Sequence, residues 1–166
     1  MLRLLVVGVG LLMLVALVVV AAGYLLPVAH VASREATLDR DPGDVFAAIA
    51  DVTRYPEWRA DVRSVEVISA SPLRWREHGR NGDITFVVSE SAPPSRLVSR
   101  IDDTSLAFGG TWTYELTPVG RATSLRITER GEVYNPLFRF MSRFVFGHTA
   151  TIDAYLAALG AHVEHR

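Results

Sequence analysis

The chain contains no cysteine, which rules out disulfides and thiol chemistry on either side of a membrane. It contains no lysine either, so its 17 basic side chains other than histidine are all arginines. Arginine suits phosphate and carboxylate recognition. Here the arginines are spread evenly, which marks a compositional preference for arginine and alanine rather than a site. With a net charge of −1 and no basic stretch, the footprint of a nucleic-acid binder is missing. No repeat, Walker-type loop or nucleophile-elbow serine occurs, so no nucleotide or other cofactor is expected. Gly109-Gly110 has no helix after it and reads as a bend or bulge in a strand. His162-Val163-Glu164-His165 offers metal-ligand types, but in the last turn, where helix ends fray. No metal site is expected.

What the chain does have is a long apolar run. From Leu4 to Leu26 no charge interrupts it, with Arg3 before it and Pro27 after it. As a helix it is ~34 Å long, enough for a bilayer core of about 30 Å. A cleaved secretory signal is the alternative, with Ala21-Ala22-Gly23 as its small-residue site. Signal cores usually span roughly 7–15 apolar residues. This run is longer and continues beyond that site, so it reads as an uncleaved single-pass anchor touching membrane lipid through residues 4–26. Tyr24 then sits at the interface, and the short basic tail places residues 30–166 on the outer side. Residues 1–29 are anchor and short linker; residues 30–166 are one domain of ordinary size.

Within that domain Val31 to Asp39 reads as a strand. Asp41-Pro42-Gly43-Asp44 then gives a helix start, with an acidic N-cap and proline in the first turn. Val45, Phe46 and Ile49 form its apolar face, and a second short helix follows at Tyr55-Pro56-Glu57-Trp58 after a break near Asp51. Six strands come next: Ser64–Ser69, Leu73–His78, Ile84–Ser91, Arg96–Ile101, Gly110–Thr117 and Ser124–Tyr134. Short turns such as Gly79-Arg80-Asn81-Gly82 and Pro118-Val119-Gly120 join them, which predicts an antiparallel meander. Asn135-Pro136 opens a final helix of about 24 residues by its apolar period. Its stripe is Leu137, Met141, Phe144, Val145, Ile152, Tyr155, Leu156 and Leu159, and a stripe so wide must lie across a sheet.

This order resembles the START-like, helix-grip domains of the polyketide cyclase/dehydrase and lipid-transport superfamily. The resemblance is carried by Asp41 to Asp51, by Tyr55-Pro56-Glu57-Trp58 and by the closing helix from Asn135-Pro136 to Glu164. It covers nearly everything after the apolar run. It implies an α+β fold, an antiparallel sheet wrapped around a long C-terminal helix, here preceded by one transmembrane helix. It also implies an apolar cavity between sheet and helix, with roles from lipid, sterol or quinone binding to cyclase chemistry. No shared catalytic signature comes with it.

Strand parity predicts the cavity face. Trp75 and Glu77 fall on it from one strand, Phe86 and Glu90 from the next. Trp112 and Tyr114 join from the fifth strand of the meander, and Glu129 from the sixth. The last helix adds Met141, Phe144 and His148, the histidine standing at the centre of the apolar stripe. A histidine and carboxylates in an apolar pocket suit acid–base work on an enolisable carbonyl, with His148, Glu129 and Glu90 as the candidates. The same groups can orient a ligand by hydrogen bonds without turnover. Each also has a structural alternative: Glu77 and Glu90 near strand ends, Glu129 paired with Arg126 or Arg130 after a bulge. Trp58 packs its short helix onto the sheet end or closes the cavity mouth. The expected partner is an apolar small molecule, with an enzyme of cyclase or dehydratase type and a ligand-free interaction module as alternatives; no protein partner can be named.

Overall fold

The computed structural model describes residues 2–80, 82–147 and 149–164. It begins with α1 (Leu2–Leu25), which contains a stretch, Val6–Leu25, long and apolar enough to cross a membrane, with a mean hydropathy of 2.8. Strand β1 (Ala29–Leu38) follows almost at once, so only three residues separate the two elements. Helix α2 (Pro42–Ala50) starts as its sequence dictates: the Asp41 carboxylate accepts the Gly43 N–H at 2.8 Å, and Pro42 occupies the first turn. After a 3₁₀ turn at Val52–Arg54 comes α3 (Tyr55–Trp58).

The meander is β2 (Val62–Ala70), β3 (Leu73–Gly79), β4 (Gly82–Ala92), β5 (Arg96–Ile101), β6 (Phe108–Val119) and β7 (Ala122–Val133). With β1 it makes one seven-stranded antiparallel sheet in the order β1-β7-β6-β5-β4-β3-β2. The β6–β7 register is continuous through Gly110↔Gly131, so Gly109-Gly110 makes no bulge. Gly110 nevertheless has φ +140, and a side chain there would meet the Arg130 carbonyl, which is why the strand needs glycine at its bend. Bulges occur instead in β2 and at Ser89 in β4.

The C-terminal element departs from the expected single helix. It divides into α4 (Pro136–Met141), a π-helical turn (Ser142–Phe146) and α5 (Ala150–Glu164), with Gly147 at φ +72 between them. Apolar periodicity runs straight across the break, because the π turn shifts the phase without changing composition. Only α5 grips the sheet: Ile152, Tyr155, Leu156, Leu159 and Val163 are buried, whereas α4 buries no residue. Those α5 side chains form one core with Val45, Phe46 and Ile49 of α2 and with Leu116, Leu125 and Ile127 of the sheet. Arg34 on the edge strand β1 fixes the start of α5, reaching Asp153 at 2.8 Å and Thr149 Oγ1 at 2.9 Å. Because α5 covers the β1-β7-β6 side, the sheet beneath α4 and the π turn stays unfilled.

Candidate functional site

That unfilled space is a cavity of about 590 Å³. Its sheet wall carries Trp75, Phe86, Trp112 and Tyr114, and Phe138, Met141, Ser142 and Thr151 close it from the helical side. Trp75 stacks on Phe86 at 5.3 Å, and Trp112 meets the Tyr155 ring edge-on at 5.6 Å. A second hollow of about 330 Å³ lies beyond, with Tyr55, Trp75, Ser99 and Tyr114 shared between the two.

The polar end of the cavity is organised by Arg59, which directly follows α3. Its guanidinium donates to Glu77 Oε1 at 3.0 Å and to Asp61 Oδ2 at 2.7 Å. It also lies over the rings of Tyr55 and Tyr155, 5.0 and 5.6 Å from their centroids. Burial works against the Arg59 charge, yet Glu77 and Asp61 outweigh it and raise its pKa above the ordinary arginine value. For Asp61, burial opposes ionisation, but the bonds from Arg59 prevail and lower its pKa. Glu77 is buried and accepts a second bond from Trp75 Nε1 at 3.0 Å.

Three tyrosines surround this pair. Burial lifts Tyr55 and Tyr155 well above the usual phenol value and pushes Tyr114 up to about 12. All three are therefore neutral at physiological pH and offer O–H donors. Tyr55 gives its proton to the Ile49 carbonyl at 2.7 Å. The Tyr155 hydroxyl is buried and interacts with the hydroxyls of Tyr55 and Tyr114 without a well-aligned hydrogen bond to either.

Farther along the wall His30 and Glu129 come together, Nε2 to Oε1 3.5 Å, on the adjacent strands β1 and β7. Gly131 makes room for them, since a side chain there would run into the His30 ring. Burial lowers the His30 pKa below its ordinary 6.5. The unfolded chain thus binds more protons than the folded one just below that value, and stability rises with pH through the window. Thermal unfolding at about pH 7.5 and about pH 5.5 should show a smaller difference for His30→Asn than for the parent chain. An equal difference in both proteins would contradict this.

Of the ten residues that parity and periodicity nominated, Trp75, Glu77, Phe86, Trp112, Tyr114, Glu129 and Met141 lie on the cavity wall. Glu90 does not. The Ser89 bulge reverses the parity of β4, so Glu90 points outward and pairs with Arg96 at 2.9 Å. Phe144 is also elsewhere: in the π turn it is 63 % exposed, because the phase shift carries it off the sheet side. His148 lies outside the described residues. The pairing of Glu129 with Arg126 does not form; Arg126 instead crosses to Glu35 at 2.8 Å. Trp58 is not on the cavity wall: it packs α3 against α5, stacked on His162 at 5.5 Å. Arg59, Asp61 and His30 escaped the sequence reading, which placed Tyr55 in the short helix and Tyr155 on the apolar stripe but gave neither a place in the site. The adjacency of Arg59 to Tyr55-Pro56-Glu57-Trp58 was the one available signal, since a polar residue ending that short helix points back at the sheet.

A family model described as polyketide cyclase / dehydrase and lipid transport matches residues 29–164. The chain belongs to that family. No curated protein sequence matches this polyketide cyclase/dehydrase and lipid-transport family member. Its fold recurs in solved structures. A START superfamily protein from Mycobacterium smegmatis is similar at a TM-score of 0.66 and 16 % identity, over 82 % of this chain and 98 % of that one. A conserved protein from Geobacillus kaustophilus reaches 0.70 at 15 % identity, over 82 % and 96 %. Norcoclaurine synthase from Thalictrum flavum, as a point mutant with a transition-state analogue, reaches 0.66 at 10 % identity, over 83 % and 96 %. At such identities the likeness speaks for the fold of this family member alone.

Proposed function

We propose that the protein is a membrane-anchored START-like module that holds an apolar small molecule, of lipid, quinone or polyketide-like character, between its sheet and its C-terminal helices. The observation that carries this is the cavity of about 590 Å³, an aromatic-walled space in the size range of small-molecule sites. Its polar end fits a ligand with few polar atoms. Arg59 is already matched by Glu77 and Asp61, so a neutral oxygen suits that end better than a second carboxylate. The apolar helix α1 is the anchor in this reading, and residues 30–166 stand on the outer side.

Native mass spectrometry of the full chain, purified in mild detergent from its own host, tests the reading. A bound apolar molecule near one-to-one stoichiometry is expected, and solvent extraction would give its class. Protein that stays empty when incubated with extracted host lipids would refute it.

A second reading has its own support: His30 and Glu129 meet on the cavity wall, and a histidine kept neutral by burial can accept a proton. This pair, rather than Glu90, is the acid–base candidate for a cyclase or dehydratase. Turnover of the co-purified molecule that disappears in both His30→Asn and Glu129→Gln, with binding retained, would favour it.

A further inference from the structure

The short segment between β7 and α5 combines three properties. First, it is docked on the end of α1. Pro136 packs against Gly23 so closely that any side chain at Gly23 would collide with the Pro136 carbonyl. Arg139 donates to the Leu26 carbonyl at 2.9 Å, satisfying one of the acceptors left over at the end of that helix. Second, it exposes large apolar side chains: Leu137, Phe138, Phe144 and Val145, the last two 63 % and 58 % exposed. Third, it forms the wall of the cavity at Phe138, Met141, Ser142 and Gly147.

The level of this segment follows from the contact with α1. Gly23 lies two residues before the end of the helix, or about 3 Å along its axis. With α1 across a bilayer, α4 therefore starts at the boundary between acyl chains and headgroups. The composition of the segment suits that place. From Val133 to Ile152 the sequence carries Arg139 and Arg143 but no acidic residue, next to its aromatic and aliphatic side chains. Arginine and aromatic side chains on one short helical stretch favour an interface whose lipids include anionic headgroups.

The geometry points to a lipid-seated rim: α4 and the π turn lie in the bilayer interface, so the cavity opens onto lipid rather than onto water. The occupant of the exposed apolar face is the membrane itself, continuous with the anchor. The inference rests on the reading that α1 spans a bilayer, and it adds where the ligand enters. Molecules already dissolved in the membrane reach the cavity past Phe138 and Met141 without crossing water.

The absence of cysteine allows a clean test. Single variants Phe144→Cys and Val145→Cys of the full chain take one environment-sensitive fluorophore each. They are reconstituted in phosphatidylcholine/phosphatidylglycerol vesicles containing a headgroup-proximal spin-labelled lipid, replaced for the Val15 label, at the middle of the span, by a lipid spin-labelled near the end of its acyl chain. Val119→Cys, exposed on the β6–β7 hairpin at the far end of those strands, is the water-facing control, and Val15→Cys reports on the anchor. Both rim labels should be quenched by the spin-labelled lipid several-fold more than the Val119 label, and be shielded from aqueous iodide. Rim labels as open to iodide as Val119 would overturn the inference, because the face would then meet water. Labels shielded from iodide and lipid alike would overturn it too, because a protein would cover the face. In either case a lipid-quenched Val15 label leaves the anchor standing; an unquenched Val15 label removes both.

Discussion

Arg59→Ala is expected to cost about 3–5 kcal/mol of stability, the usual penalty for leaving one member of a buried ion pair alone. The Glu77 side chain is 9 % exposed and that of Arg59 14 %, so water cannot replace the lost partner cheaply. The variant also loses the cation held over the Tyr55 and Tyr155 rings. A specific rescue separates this cause from a general packing defect. Glu77→Gln in the Arg59→Ala background removes the orphaned charge while its amide oxygen still accepts from Trp75 Nε1. The double variant should therefore recover much of the loss, a coupling that a double-mutant cycle in urea reads directly. An Arg59→Ala protein within about 1 kcal/mol of the parent would show that the pair does not hold this end of the cavity together.

Tyr155→Phe should move stability and binding in opposite directions. A buried hydroxyl without a well-aligned hydrogen bond carries part of a desolvation cost of about 1–3 kcal/mol, and deleting it relieves that part. The Tyr155 ring remains to pack against Trp58, Trp112 and Tyr114, so no cavity is created. Ligand-free protein should melt higher by roughly 3 °C per kcal/mol relieved. On the proposed ligand-binding reading this hydroxyl is the donor to the ligand's oxygen, so retention of the co-purified molecule should fall. Such opposition marks a residue kept for a ligand at the expense of the fold. If Tyr155→Phe melts lower and binds unchanged, the hydroxyl serves the structure instead.

Much of the architecture was legible because it depends on local chemistry. The N-cap at Asp41, the break at Asp51, the turns of the meander and the second N-cap at Asn135 all act within a few residues of themselves. The order β2 to β7 follows from them, whereas the pairing of β1 with β7, Ala29 opposite Glu132, is long-range and was not legible. Trp75, Phe86, Trp112 and Tyr114 were found by parity for the same reason: their strands pair without a register shift at those positions. Glu90 failed because one extra residue at Ser89 reverses every side chain after it, and no residue type at that site announces a bulge. The single long helix failed because a π turn keeps composition constant while changing phase. Arg59 was hidden in a different way. Among evenly spaced arginines, the one that turns inward is distinguished only by carboxylates that arrive from β3 and from the residue just before β2.

The three-residue connection between α1 and β1 also sets a limit on how the protein can work. Fully extended it spans about 10 Å, and the Arg139 bond to Leu26 removes most of that slack. With α1 in a bilayer, the cavity has a fixed address. A shuttle needs a tether long enough to swing between two surfaces, and this domain has none. On the proposed reading, cargo held here diffuses only in the plane of its own membrane, as part of a depot confined to that surface. An acceptor outside that plane has to come to it.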